Sequence, residues 1–292
     1  MPELPEVETV KKGLDKLIVG LKVKSIDFDW PKGFPNSARD VDKFLIGAKF
    51  SKVRRRGKAL ILELDNDYAL VIHLKMTGQL VYVNKSERFG AGHPNDSLVD
   101  RLPDKSTRVI FELSCGTLYF NDQRKFGWVK LLPKIEVPNL DFFKKLGPEP
   151  LESGFTYEIF DTNLNKRPNT SIKAAILDQT VLAGVGNIYA DESLWHAKIH
   201  PATLTKNVSK QKRKLLRQEI INVLKLAIKS GGSTDRNYVD AEGKRGSYLK
   251  FAKVFRREGQ ECPRCGKIIT KTRVAGRGTH VCTNCQRKVG KK

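Results

Sequence analysis

Cys262-Pro263-Arg264-Cys265 and Cys282-Thr283-Asn284-Cys285 are two Cys-x2-Cys knuckles separated by sixteen residues, and no other feature constrains the chain as strongly. Two thiolates three positions apart on a tight turn bind one side of a tetrahedral ion, and a second pair closes the site. Sixteen residues suit a short β-hairpin, here Lys267–Val281 with Gly276 and Gly278 near its tip. The set predicts one structural Zn2+, because four thiolates leave the ion no open position for chemistry. Two disulfides or a redox centre could use the same spacing. Against them, the opening Met1-Pro2-Glu3-Leu4-Pro5 has neither the basic nor the apolar stretch of an export signal, so a cytoplasmic chain with reduced thiols is expected. The fifth cysteine, Cys115, lies in Ser114-Cys115-Gly116 and reads as a bystander in a turn.

Charge is the next constraint. The 292 residues hold 54 Lys and Arg against 32 Asp and Glu, a net +22. Residues 201–292 contain 24 of those basic side chains and only 6 of the acidic ones, a net +18, which leaves +4 for the first 200. A basic C-terminal third on a near-balanced body is the footprint of a polyanion binder, nucleic acid before an anionic membrane surface. No apolar run approaches 18 residues, so no membrane span is expected.

The chain changes texture along its length, and its size suggests about two domains. Residues 5–19 read as a helix, with Pro5 in the first turn, Glu6 and Glu8 at the positive end of the dipole and Gly20 after it. About eight short strands follow, Val23–Trp30, Ala48–Arg54, Ala59–Leu64, Ala69–Leu74, Gln79–Val83, Arg108–Leu113, Thr117–Asp122 and Trp128–Leu132, which argue for a β-sandwich or barrel. Residues 84–107 read as a long loop. Pro133 to Pro150 reads as a linker, and beyond Tyr157 the pattern turns helical. Ser171–Asp178 and Ile188–Ala197 flank a Gly184-Val185-Gly186-Asn187 corner. Ser209–Lys229 is amphipathic, with Leu216, Ile220, Val223, Leu224 and Ala227 inward.

Two places carry potential chemistry. Pro2 after Met1 permits removal of the methionine, which exposes a secondary amine. An α-amine titrates near ~7.7–8 where lysine needs ~10.4, so part of it is nucleophilic at neutral pH. Attack on a sugar aldehyde carbon gives an iminium, and Glu3 stands ready to move protons. Pro2 and Pro5 are equally at home as plain helix-start residues. At Gly184-Val185-Gly186-Asn187 the free N–H groups of a helix start suit a phosphate oxygen, with Asn187 capping that helix. A simple helix–turn–helix corner reads the same way.

Together these strings resemble the bacterial formamidopyrimidine-DNA glycosylases nearly end to end. The matching runs are Pro2-Glu3-Leu4-Pro5-Glu6-Val7-Glu8-Thr9, Arg55-Arg56-Gly57-Lys58, His73-Leu74-Lys75-Met76-Thr77-Gly78 and Asp122-Gln123-Arg124-Lys125-Phe126-Gly127. They continue with Leu146-Gly147-Pro148-Glu149-Pro150, Leu177-Asp178-Gln179, Gly184 to Ser193, and Val274 to Thr279 within the cysteine hairpin. The resemblance implies an α+β multidomain fold. An N-terminal β-sandwich with an N-terminal helix occupies 1–135 and a linker 136–150. A helical helix–two-turn–helix domain spans 151–232, a lesion-covering loop and connector 233–256, and a four-cysteine zinc-finger β-hairpin 257–292. The resemblance also implies lesion-bearing double-stranded DNA bound in the cleft between the two domains.

The resemblance further implies a monomeric, cytoplasmic base-excision repair enzyme that acts at the nucleoid. It excises 8-oxoguanine and formamidopyrimidines and cleaves the abasic strand by β,δ-elimination. By residue, Pro2 matches the Schiff-base nucleophile and Glu3 the acid on the deoxyribose. Lys58 matches the β-elimination lysine, and Arg277 the arginine of phosphate binding and δ-elimination. Met76, Arg124 and Phe126 match the residues that fill the gap left by the extruded nucleotide, and His73 and Asn187 match phosphate contacts. Cys262, Cys265, Cys282 and Cys285 match the zinc ligands. Two positions depart from the pattern. Ser106 stands where the family often has His, with Arg108 nearby, and Lys75 stands where many members have Gly. The endonuclease VIII class, which prefers oxidised pyrimidines, is resembled less. A non-catalytic zinc-ribbon DNA binder would explain the charge but not the intact Pro2, Glu3 and Lys58.

Overall fold

Helix formation begins at Glu3, whose carboxylate accepts the Glu6 N–H while the Glu6 carboxylate accepts the Glu3 N–H at 2.8 Å. This reciprocal capping box starts the helix Leu4–Leu17, with Pro5 in its first turn where no N–H is needed. Val7, Val10 and Leu14 on its inner face are fully buried. The computed structural model describes residues 1–93, 95–233 and 248–289. It divides into two compact units, Met1–Lys144 with Ser230–Ser247, and Lys145–Lys229 with Tyr248–Lys292.

Among the described residues, the first unit is a sandwich of nine strands. In chain order they are β1 (Val23–Phe28), β2 (Phe50–Arg56), β3 (Ala59–Leu64), β4 (Tyr68–His73) and β5 (Gly78–Val83). β6 (Arg88–Gly92), β7 (Thr107–Leu113), β8 (Thr117–Asp122) and β9 (Trp128–Pro133) complete it. One antiparallel sheet has the order β1-β7-β8-β5-β6 and the other β2-β3-β4-β9. The core between them is built from Leu60, Leu62, Leu70 and Ile72 of the four-stranded sheet and Leu80, Tyr82, Phe111 and Phe120 of the five-stranded one. The N-terminal helix packs on strands of both sheets, β2 and β3 on one side and β5 and β6 on the other.

β6 corrects the expectation of an uninterrupted loop over 84–107, which also holds a short turn of helix at Asp96–Leu98. Its sequence, Arg88-Phe89-Gly90-Ala91-Gly92, alternates glycine with small or single large residues and so carries no pattern to read. The glycines are there for close approach. A Cβ on Gly90 would sit 3.1 Å from the Leu98 main chain, and one on Gly92, whose φ is 129°, 2.5 Å from the Gly78 carbonyl oxygen.

In the second unit, Tyr157–Asn165 is capped by Thr156 and Ile172–Leu177 by Ser171, each side chain accepting an N–H of the first turn. The helix Asn187–His196 follows, then Lys210–Lys229, which buries Leu216, Ile220, Val223, Leu224 and Ala227 as its periodicity predicts. Between the second and third of these helices, Gln179 organises the corner. Its carboxamide donates to the Leu177 and Val185 carbonyls and accepts the Gly184 N–H, all at 2.9 Å. The chain then forms the hairpin β10 (Thr270–Val274) and β11 (Arg277–Val281). Ala275 and Gly276 at its tip both have positive φ, the two-residue turn that matches strand twist.

Candidate functional site

Register brings the sequence-predicted residues of the first unit to one end of the sandwich. Lys58 lies in the two-residue turn between β2 and β3. Ala59, its neighbour, pairs with His73 at the end of β4, and His73 pairs with Trp128 at the start of β9. The N-terminal helix reaches the same end. Asp15 accepts the Val53 N–H at 2.9 Å, and Glu8 pairs with Arg55 at 2.8 Å, so the helix runs backwards along β2 toward the turn. From Glu8 back to Glu3 the axis advances about 7.5 Å, while β2 runs one residue past Arg55, about 3 Å, before the Gly57-Lys58 turn. The start of the helix, with Pro2 and Glu3, and the Lys58 turn therefore lie toward the same end of β2. All three are buried.

His73 is held as a neutral donor. Burial, with Lys75 and Lys58 adding positive charge beside it, lowers its pKa to about 3. Its Nδ1 accepts the Lys75 N–H at 2.9 Å, which leaves the ring proton on Nε2. Trp128 and Phe142 pack around the ring at 5.8 and 5.0 Å. Lys75 itself has a φ of 49°, in the left-handed region that favours glycine, which accounts physically for a glycine preference at this position.

Two chain crossings between the sheets lie side by side at this end. One runs from His73 in β4 to Gly78 in β5 and carries Met76, and the other runs from Asp122 in β8 to Trp128 in β9 and carries Arg124 and Phe126. Gly78 pairs with Asp122, so the first crossing ends on the strand beside the one from which the second starts. Met76 is half-buried, whereas Phe126 is 53% exposed with the Arg124 guanidinium 4.8 Å above its ring. An exposed Phe in a loop is not core packing.

Asp122 fixes this arrangement, and sequence reasoning gave it no role of its own. Its carboxylate is buried and accepts the Phe126 N–H at 2.8 Å, the Gly127 N–H at 2.6 Å and the Arg124 N–H at 3.2 Å. It also accepts the Thr77 hydroxyl from the other crossing. A charged acceptor bonded four times in this way sets both loops at once. An Asp that closes a strand and precedes a basic-aromatic loop is the signal that could have found it. Ser106 and Arg108 face inward. The Ser106 hydroxyl bonds Asp104 and Ser97, and the Arg108 guanidinium holds the Asp122 carbonyl and the Asp29 carboxylate.

In the second unit, the four cysteine sulfurs lie within 4.8 Å of one another, with Cys265–Cys282 at 3.5 Å and Cys262–Cys285 at 3.9 Å. Zn–S bonds of about 2.3 Å put tetrahedral sulfurs roughly 3.8 Å apart, so the set fits one zinc ion once its widest spacing contracts. No cysteine is disulfide-bonded. Burial and hydrogen bonds from the neighbouring sulfurs push the Cys285 thiol up to about 12, so the group becomes four thiolates only around a cation. Trp195 donates its indole N–H to Cys262 Sγ at 3.4 Å.

Arg277 opens β11 and is exposed. Asn187 reaches the same strand, its amide donating to the Gly278 carbonyl at 3.0 Å. The expectation that Asn187 caps its helix is corrected. Gly186 occupies the cap position in extended backbone, and Asn187 is the first helical residue, its side chain directed to the hairpin. Its Oδ1 is buried without a partner.

Comparison with known proteins agrees with this geometry. Residues 1–129 match the formamidopyrimidine-DNA glycosylase N-terminal domain, 146–238 its H2TH domain, and 259–287 the zinc finger found in FPG and IleRS. This chain belongs to the formamidopyrimidine-DNA glycosylase family. A formamidopyrimidine-DNA glycosylase of Desulforamulus reducens is 42% identical over 290 residues, covering 98% of this chain and 99% of the relative. One of Streptococcus pneumoniae is 42% identical over 294, covering 99% and 100%. A Lactococcus lactis family member in complex with Fapy-dG-containing DNA superimposes with a TM-score of 0.87 at 38% identity, covering 98% of this chain and all of that one. The four cysteines thus form the family's site for a single structural zinc ion. The lesion-covering loop expected within 233–256 falls largely on residues 234–247, outside the described residues.

Proposed function

We propose that this chain is a bifunctional base-excision repair enzyme. In this reading it excises oxidised purines, 8-oxoguanine and formamidopyrimidines, from double-stranded DNA and cleaves the resulting abasic strand. Pro2, with Met1 removed, attacks C1′ as a secondary amine, and Glu3 protonates the sugar. Lys58 serves β-elimination. Arg277 binds phosphate and serves δ-elimination. His73 donates from Nε2 to a phosphate oxygen as a neutral group, and Asn187 contributes a second backbone contact. Met76, Arg124 and Phe126 occupy the gap left by the extruded nucleotide, which costs a few kcal/mol to open. No described helix is long and apolar enough to cross a membrane, and we place the enzyme in the cytosol, acting as a monomer.

One observation carries the reading: the helix start with Pro2 and Glu3, the Lys58 turn, His73 and both crossing loops converge on one end of a single sandwich. Relatives from Lactococcus lactis bound to Fapy-dG DNA and to abasic-site DNA support the substrate class. Borohydride reduction tests it, since it converts an iminium to a stable amine. Processed protein incubated with an 8-oxoguanine duplex is expected to be trapped covalently, with the N-terminal peptide carrying the adduct. An adduct on the Lys58 peptide with the N-terminal peptide unmodified would overturn the assignment of Pro2.

A further inference from the structure

Past the end of β6 lies His93, a half-buried histidine with no role in the function proposed above. Its N–H donates to the Gly78 carbonyl at 3.0 Å, and Gly78 pairs with Asp122 on the far side, so His93 sits at the end of the sheet that carries both crossing loops. The helix register takes it to the nucleophile. Gly13 lies directly against Phe89 of β6, where a Cβ would come within 2.1 Å of the ring. From Phe89 to His93 the strand covers about 13 Å, and from Gly13 back to Leu4 the helix covers about the same distance. The two runs are of matching length, as a meeting near the start of the helix requires.

Charge agrees with that placement. The groups acting on His93 are the α-ammonium of Met1, one residue before Pro2 on the helix side, and the Asp122 carboxylate from β8. Burial first, then the ammonium, holds the imidazole below its ordinary 6.5, with Asp122 opposing them. The ring is accordingly neutral at pH 7 and offers an acceptor nitrogen. The neighbouring carboxylates are already engaged. Glu3 accepts the Glu6 N–H and enters the reaction protonated, as the acid on the sugar, while Glu6 accepts the Glu3 and Ser233 N–H groups at 2.8 Å and Asp122 holds the loops.

We propose that His93 is the proton acceptor for the Pro2 nitrogen during formation of the Schiff base. The proposal rests on Pro2 being the nucleophile. As the Pro2 lone pair forms the bond to C1′, the bond from C1′ to the damaged base breaks, and the base leaves with that electron pair and takes a proton from solvent. The nitrogen now has four bonds, one of them to hydrogen, and a positive charge. His93 takes that hydrogen as a proton. The freed lone pair forms the C1′=N bond while the C1′–O4′ bond breaks, and O4′ receives a proton from Glu3. The imidazolium returns its proton to water. No oxidant or reductant enters.

The test is single-turnover borohydride trapping on abasic-site duplex from about pH 6 to pH 9, using chains verified to begin at Pro2. His93→Gln is expected to slow the trapping rate constant on the order of 10²-fold at pH 7, with the deficit closing toward pH 9 as hydroxide replaces the imidazole. His93→Ala is expected to regain rate with added imidazole, while DNA affinity stays unchanged. Because rate constants are read rather than amplitudes, a partly misfolded population does not imitate the effect. A loss that is equal at every pH and unrescued by imidazole, or no loss at all, overturns the role of His93. A wild-type adduct mapped away from the N-terminal peptide overturns the Pro2 reading, and this proposal with it.

Discussion

Arg124 and Phe126 are two residues apart and are proposed to read different properties of DNA. A guanidinium recognises base edges, and losing such a contact costs roughly 1–3 kcal/mol of discrimination. Arg124→Ala is therefore expected to relax the preference for the opposite base by about one to two orders of magnitude in excision rate. Phe126→Ala is expected to slow excision against every opposite base alike, since a wedge reads stacking. Because the guanidinium rests on the Phe126 ring, the effects are non-additive, and the double variant should discriminate no worse than Arg124→Ala alone. Excision rates across the four opposite bases check all three statements. At His73 the prediction concerns pH. The folded pKa of about 3 lies below the unfolded value near 6.5, so the unfolded chain binds the extra proton between those limits. Stability should fall as pH drops from about 6.5 toward 3, and urea titrations of His73→Gln should show that acid slope reduced. Nothing in the sequence around His73 announces burial among aromatics, since Phe142 reaches it from nearly 70 residues away.

Secondary-structure elements were legible where their side chains alternate or recur. The Lys210–Lys229 helix shows its apolar inner face in sequence, though not its buried Arg213, and β3 and β8 match their sequence limits to the residue. β6 stayed hidden because its glycines serve close contacts with Leu98 and Gly78 rather than a pattern. The zinc hairpin was legible because metal geometry fixes cysteine spacing, but its anchor was not. Lys173 Nζ lies 2.7 Å from Asp191 Oδ1 with both side chains fully buried, and the Asp191 Oδ2 atom accepts the His280 N–H at 2.9 Å. Lys173 also donates to the Gly278 carbonyl and the Thr279 hydroxyl, so two helices grip β11 through one buried ion pair. A lysine and an aspartate eighteen positions apart on two different helices carry no sign of this in sequence. Lys173→Ala leaves the Asp191 carboxylate buried without its cation, a change that costs about 3–5 kcal/mol. Urea denaturation should show that loss with zinc content retained. Cys282→Ser should release the zinc and leave the sandwich, which has its own core, folded by circular dichroism.

At the scale of the whole molecule, the division of charge sets how the protein meets DNA. The first 200 residues are near balance and the last 92 carry +18. That asymmetry needs no site geometry to act, because a cluster of Lys and Arg near a polyanion displaces condensed counterions wherever the side chains lie. Arg277 belongs to that basic third and is also proposed to hold one particular phosphate, so it should contribute to affinity in two separable ways. Equilibrium binding of a short duplex between about 50 and 200 mM salt should give a log–log slope of about −0.9 for each phosphate neutralised. Arg277→Ala should weaken binding to damaged and undamaged duplex alike and reduce the slope by about one. It should leave the metal in place, since Arg277 is outside the ligand set. A slope near zero for the native chain would show that the basic third does not engage DNA. A slope unchanged in Arg277→Ala would remove that residue from the phosphate contacts while leaving the general electrostatic term intact.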